Sequence, residues 1–244
     1  MRGRLDHLLV TRGLVASRAR AADLIARGAV LVDGAVAGKA GQLVEATAAL
    51  VVDADANAYV ARSGLKLKAA LDTFGLEARG RVALDVGAST GGFTQVLLEA
   101  GAERVYAVDV GHGQLHDSLR ADHRVVSLER TDARSLDRQA IPEPVTAVAA
   151  DVSFVSLKDV LAAPLSLAGP GAWLVALVKP QFEVGRTAVS RRGLVRDGEL
   201  AVAAVAAVSG FLAGLGWTEF ARAPSPLPGK EGNIEWLLGA RRHE

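Results

Sequence analysis

Apolar positions along the chain recur first at helical spacing and later in short blocks. Leu5, Leu8 and Leu9 share one helical face, and Gly13 marks a stop. Ser17 stands where it can cap a second helix that turns Ala21, Leu24 and Ile25 inward, and Gly28 closes it. Residues 30–34, Val-Leu-Val-Asp-Gly, read as a strand and tight turn. Residues 53–57 are small and polar and read as a linker. Beyond them strands are expected at 82–86, 104–109, 124–128, 145–151, 173–179, 217–221 and 234–238, with a helix over 93–100. Such alternation predicts an α/β domain built on a parallel sheet with helices on both faces. The uncharged run 200–217 nearly reaches the length of a membrane span. It is mostly alanine, carries Ser209, Gly210, Gly214 and Gly216, and follows Asp197 and Glu199, so a buried helix is the expectation.

Composition narrows the picture. Of 244 residues, 50% are hydrophobic and 23% charged, which excludes a disordered or collagen-like chain. Cysteine is absent, so disulfides, cysteine-ligated zinc, iron–sulfur clusters and thiol catalysis are excluded. The opening Met1-Arg2-Gly3-Arg4-Leu5-Asp6 does not read as a signal peptide, and a cytoplasmic protein without membrane partners is expected. Of the five histidines, His112, His116, His123 and His243 outside the head show no ligand spacing, and no metal is expected. Charge is uneven: residues 1–40 hold seven basic side chains against three acidic ones, leaving −3 for the remainder of a chain whose total is +1. A basic head on a slightly acidic body suggests a polyanionic partner, with a merely arginine-decorated surface as the alternative.

Two constellations carry chemistry. In Asp85-Val86-Gly87-Ala88-Ser89-Thr90-Gly91-Gly92, a glycine-rich turn joins the first strand of the sheet to a helix, where doubly wound sheets bind ligands. Asp109 ends the next strand, where it can accept from ribose hydroxyls. The Gly-x-Gly-x-x-Gly of a nicotinamide site and the Gly-Lys-Ser/Thr of a phosphate loop are both missing. Second, Asp151, Lys179 and Glu235 stand in or at the ends of apolar strands, and Lys66 follows the linker. Buried charges are costly unless paired, so structural ion pairs are one reading. The other is catalytic: a lysine with its pKa lowered by burial and a neighbouring cation can activate a weak hydroxyl nucleophile, carboxylates holding the ammonium groups in place. Lys68 is expected to be an ordinary exposed lysine.

The head resembles an S4 domain, a small α+β RNA-binding module, through Arg4-Leu5-Asp6, Gly13, Ser17-Arg18, Gly28, Val30, Val32 and Gly34. That resemblance implies phosphate contacts from Arg4, Arg18, Arg20 and Arg27. Asp-x-Gly-x-x-x-Gly at 85–91 is similar to the S-adenosyl-L-methionine site of class I (Rossmann-like) methyltransferases. Lys66, Asp151, Lys179 and Glu235, in their local motifs, resemble the Lys-Asp-Lys-Glu set of the FtsJ-like ribose 2′-O-methyltransferases. Together the motifs resemble the hemolysin A-like rRNA cytidine-2′-O-methyltransferases, with an S4 domain over 1–58 and a methyltransferase domain over 59–244. The resemblance implies that Lys179 acts on the 2′-hydroxyl, that Asp151 orients it, and that Lys66 and Glu235 complete the network. It implies a cofactor site of Asp85, Gly87, Ser89, Thr90, Gly91, Asp109 and Asp132, although Asp132 replaces the family's asparagine. A ribosomal RNA or ribosomal subunit is the implied partner, and a monomer is favoured. The ending Arg241-Arg242-His243-Glu244 resembles the family's shorter form, implying 23S rRNA as substrate, with 16S rRNA a second candidate. Two other classes are weighed: an S4-bearing RNA-binding or ribosome-assembly factor with an idle methyltransferase fold, and a membrane-lytic protein, for which no basic amphipathic helix is visible. Residues 180–196, with Arg186, Arg191, Arg192 and Arg196, read as a long loop that either helps clamp RNA over Lys179 or is simply solvated.

Overall fold

In the computed structural model, which describes residues 2–243 except Arg196 and Lys230 and omits the side chains of Asp55, Ala56 and Arg186, the chain forms two compact units. One runs to Tyr59 and the other begins at Val60.

The smaller unit closes a core of Leu5, Leu9, Ala21, Leu24, Ile25 and Val30. Its helices are Leu5–Thr11 and Arg18–Ala26, the second capped by Ser17 Oγ, which accepts from Arg20 N at 3.1 Å. Asp33 and Gly34 both take positive φ, the geometry of a two-residue hairpin turn, and join β2 (Val30–Val32) to β3 (Ala35–Val36). β5 (Leu50–Val52) pairs on the other side of β2. A second ribbon of β1 (Arg2–Arg4) and β4 (Leu43–Glu45) has no signature in the apolar pattern. Residues 53–57, read as a linker, instead lie largely in a short helix, Ala54–Ala58.

The larger unit holds β6 (Val82–Val86), β7 (Arg104–Asp109), β8 (Val125–Glu129), β9 (Val145–Ala150), β10 (Ala168–Val178), β11 (Trp217–Pro224) and β12 (Trp236–Arg242) in the sheet order β11-β12-β10-β9-β6-β7-β8. The five strands from β10 to β8 are parallel. β12 pairs antiparallel to both β10 and β11, so the expected all-parallel sheet is corrected at this edge. This reversal matters for the site. Because Trp236 at the start of β12 is paired with Val178 at the end of β10, a residue just before β12 arrives where β9 and β10 finish. Glu235 is that residue, outside the strand rather than inside it.

The uncharged run forms the helix Gly198–Gly214, capped by Asp197, which accepts from Glu199 N at 2.8 Å. Ala204, Val205, Val208 and Leu212 form its buried stripe against the sheet. Among the described residues no helix is long and apolar enough to cross a membrane. Residues 180–196 are more structured than a loop. They contain the helix Pro180–Glu183, a 3-10 turn Arg186–Ala188 and a bridge between Val189 and Val195.

Candidate active site

The parallel strands finish on one edge of the sheet, and the turn after β6 opens there. Gly87 has φ of 87°, and a Cβ on it would lie 2.6 Å from the Asp151 carbonyl oxygen, so only glycine lets the turn after β6 approach the end of β9. Gly92 begins the helix Gly92–Glu99 against Ser63 and Gly64, where a Cβ would lie 2.9 Å from Gly64 N. That close approach places the first turn of the helix Ser63–Phe74, and with it Lys66.

The four charged residues singled out above form two pairs. Lys66 Nζ meets Glu235 Oε2 at 2.5 Å, with side-chain exposures of 6% and 4%. Lys179 Nζ lies 2.6 Å from Asp151 Oδ1, off the direction of a hydrogen bond, and these side chains keep 10% and 15% exposure. Lys179 also donates to Ser153 Oγ at 2.7 Å. The second pair is the accessible one. It lines a cavity of about 200 Å³ with Ser63, Gly87, Thr90 and Phe93, whereas Lys66 and Glu235 are not among its lining residues. A larger cleft of about 530 Å³ is lined by Asp109, Val110, Thr131, Asp132 and Phe154. The two share Gly87, Ser89, Asp151 and Ser153 as a common wall.

The proposed cofactor residues divide accordingly. Gly87, Ser89, Asp109 and Asp132 line the larger cleft, and Thr90 the smaller. Gly91 lines neither and serves as the N-cap of the helix Gly92–Glu99 at φ of 97°. Asp109 accepts from Ser89 N at 2.9 Å and from Gly111 N at 2.7 Å, which fixes its carboxylate at the mouth. Asp132 pairs with Arg134, whose hydrogen bonds hold its carboxyl down at about 2. Asp85 is wholly buried. Its Oδ2 accepts from Thr94 Oγ1 at 2.6 Å, and its Oδ1 has no hydrogen-bond partner among the described residues. Loss of water around it pushes its carboxyl up to about 7, against the opposing effect of the Thr94 hydrogen bond.

In the head, Arg4 and Arg18 are half-exposed and share the buried Asp6, at 3.0 and 2.8 Å, holding its carboxyl well below the usual range. Arg20 and Arg27 depart from the exposed, phosphate-contacting placement that the resemblance implies. Both side chains are largely buried and share Asp23, and Arg20 also reaches Asn57 and the Tyr59 carbonyl. Lys68 is exposed and pairs with Asp72 one helical turn on. Of the arginines in 180–196, Arg196 and the Arg186 side chain lie outside what is described, and Arg191 and Arg192 are exposed.

Several contributors escape sequence reading. Ser153 is one. Glu183 is another: its buried carboxylate accepts from Ser156 Oγ at 2.6 Å and from Leu157 N at 2.7 Å, joining the segment after β9 to the segment after β10. Between them Phe154 takes φ of 67°, strained for a bulky residue, and meets the Phe182 ring at 5.3 Å. Only the Asp-Val-Ser-Phe and Lys-Pro-Gln-Phe-Glu strings hint at these contacts, and neither string says that they meet.

The FtsJ-like methyltransferase family model matches residues 59–242, and the S4 domain model matches residues 3–49. The chain is 49% identical over 241 residues to the 16S/23S rRNA (cytidine-2′-O)-methyltransferase TlyA of Mycobacterium tuberculosis, covering 98% of this chain and 90% of that protein. It is 37% identical to Hemolysin A of Brachyspira hyodysenteriae over 96% of this chain and 98% of the relative. A solved Streptococcus thermophilus structure described as a hemolysin superposes with a TM-score of 0.79 at 36% identity, covering 100% of this chain and 89% of that one.

Two predictions follow from the buried carboxylates. A carboxyl raised from 3.8 to about 7 stabilises the fold fully below pH 4 and loses that contribution as pH climbs through 7. The stability of Asp85→Asn relative to the parent therefore increases between pH 4 and 7, by up to about 1.4 kcal/mol per pH unit. Urea unfolding at several pH values measures it, and a pH-independent difference contradicts the burial account. Glu183→Ala strands two donors in a buried place, so it costs about 1–3 kcal/mol in the same assay, and Glu183→Gln, which keeps an acceptor oxygen, costs less.

Proposed function

The chain belongs to the FtsJ-like methyltransferase family and carries an S4 domain, and from that premise we propose that it methylates a ribose 2′-hydroxyl of ribosomal RNA, at a cytidine, using S-adenosyl-L-methionine. The substrate part of the reading leans on the relatives' activity. The expected target is 23S rRNA, naked or in the ribosomal subunit.

One observation carries the reading: Lys179 and Asp151 line a small cavity that shares a wall with the cleft after β6. One compartment suits a cofactor, the other a hydroxyl, and the catalytic pair sits at their junction. The turn fits the cofactor. Asp85 has a buried oxygen with no hydrogen-bond partner among the described residues, a suitable acceptor for an ammonium group, and Gly87 leaves no side chain between the turn and Asp151. Asp109 and Asp132, at the mouth, suit the ribose hydroxyls and the adenine amine. When bound, S-adenosyl-L-methionine supplies a methyl group on an electron-poor sulfur.

The chain's own residues then have separable tasks. Ser153 Oγ and Asp151 fix the direction of Lys179 Nζ, and Lys179, acting as the neutral amine, orients the 2′-hydroxyl and accepts its proton, becoming the ammonium that Asp151 neutralises. Lys66 and Glu235, sealed from solvent, cannot touch a sugar in this arrangement. Their task is to anchor the helix Ser63–Phe74 beside the pocket and to keep a fixed local charge. Proximity and orientation supply much of the rate, since no covalent intermediate is needed. In the head, Arg4 and Arg18 are the arginines best placed for phosphate contacts, while Arg20 and Arg27 support the unit from within.

Tritiated methyl incorporation into separated ribosomal subunits and naked rRNA tests the reading, with primer extension at low nucleotide concentration locating the modified ribose. Lys179→Ala is expected to lower transfer by about 10²–10⁴-fold while cofactor affinity stays within about twofold. Undiminished transfer by this variant, or label on a base rather than a ribose, refutes it.

A further inference from the structure

The segment after the helix Pro180–Glu183 ends in a small hairpin. Val189 and Val195 form an antiparallel bridge, Ser190 N donates to Leu194 O at 2.9 Å, and Gly193 N donates to Ser190 O at 2.9 Å. Gly193 has φ of 78°. This is a three-residue hairpin loop, a β-turn followed by a left-handed glycine, and Ser190-Arg191-Arg192-Gly193 suits it. Ser190 Oγ accepts from Leu194 N at 3.0 Å and tightens the turn further. The central positions of the turn, the most exposed a hairpin offers, are both arginine. Arg191 and Arg192 form no ion pair among the described residues, whereas most arginines described above have carboxylate partners.

The hairpin is braced from one side. Asn233 is 5% exposed and spends its whole amide on it: Nδ2 donates to Gly193 O at 2.7 Å and Oδ1 accepts from Val195 N at 3.0 Å. Asn233 lies two residues before Glu235, which is locked to Lys66. Two guanidinium groups with no ion pair among the described residues are thus held on a backbone tied through Asn233 to the segment that carries Glu235, with the Glu231 side chain also close to Gly193. An open hollow of about 690 Å³ is lined by residues 187–192 and Leu194. An anionic chain can lie there without displacing an internal carboxylate, since Arg191 and Arg192 have no carboxylate partner among the described residues.

We propose that Arg191 and Arg192 form a clamp for the phosphodiester backbone of the RNA strand that carries the target ribose, with Asn233 as its brace. The inference rests on the function proposed above and names a partner contact of that same site. Adjacent guanidinium groups in a rigid turn recognise phosphate charge and spacing, so the clamp positions the strand without reading its bases.

The test uses the full chain with naked 23S rRNA or the large subunit, whichever the parent protein methylates. The double variant Arg191→Gln, Arg192→Gln is expected to raise KM for RNA by about fivefold or more, with kcat within about twofold and cofactor affinity unchanged. Its log–log salt dependence of RNA binding becomes shallower by about 1.4, the value for two lost contacts to a single strand. Charge reversal to Glu at both positions raises KM further. Thermal melting separates these effects from misfolding, since exposed turn positions leave the melting temperature unchanged. Parent-like KM and salt slope in both double variants overturn the clamp while leaving the proposed function standing. A parent protein that transfers no methyl to any RNA overturns that function, and the clamp with it.

Discussion

Charges placed where β9 and β10 end must be neutralised by one another, and that requirement organises this edge of the sheet. Removing a lysine or glutamate from water costs several kcal/mol unless a partner of opposite sign meets it at good geometry. Lys66 and Glu235 meet this cost together across 169 residues of sequence. Their contact therefore does more than cancel charge: it fixes how the helix Ser63–Phe74 stands against the strand that follows Glu235. The antiparallel course of β12 makes the pairing possible, because a parallel strand would carry the same residue to the opposite edge.

With one pair sealed, the other can remain open. Lys179 and Asp151 retain slight exposure and line the smaller cavity, and Asp151 also lines the larger cleft. The surrounding contacts restrict their freedom. Ser153 holds Lys179, Glu183 holds Ser156 and Leu157, and strained Phe154 lies between them. A left-handed phenylalanine persists only where its neighbours over-determine the backbone, and the Glu183 carboxylate holds Ser156 and Leu157 just after it. Asp85 is the buried carboxyl at the end of β6. Its burial with only Thr94 as side-chain partner among the described residues is a cost that protonation or a cation relieves.

Much of this was legible in the chain because its signals are local. The Gly-rich turn between β6 and the next helix is written in consecutive residues, and so are the Asp-Gly turn at 33–34 and the caps at Ser17 and Asp197. Lys179 and Asp151 stand out as charges at the ends of apolar runs. What stayed hidden depends on long-range meetings. Nothing local says that Lys66 closes on Glu235 while Lys179 closes on Asp151, because any of the four pairings satisfies charge. The direction of β12 is equally silent, since an apolar strand reads the same in either sense. Glu183 resembles any surface glutamate in a polar stretch until the segment after β9 is brought to it. The short helix over 54–58 was missed because small polar residues suit turns as readily as one turn of helix.

The head shows why counting charge differs from counting available charge. Seven basic side chains stand against three acidic ones there, yet two of the carboxylates, Asp6 and Asp23, are each shared by two arginines, with different consequences for the surface. Asp23 serves both Arg20 and Arg27, and Arg12 spends its guanidinium on the Ala46 and Ala48 carbonyls, closing the unit on itself. Asp6 also serves two arginines, but with the opposite consequence. Because it is buried while Arg4 and Arg18 are half-exposed, it aligns two guanidinium groups whose outer N–H donors still face solvent. One buried negative charge under two outward positive ones leaves a net charge of +1 on that patch, with direction, at small entropic cost on meeting a phosphate. The same total charge spread over unpartnered flexible side chains would attract a polyanion equally at long range and orient it far less.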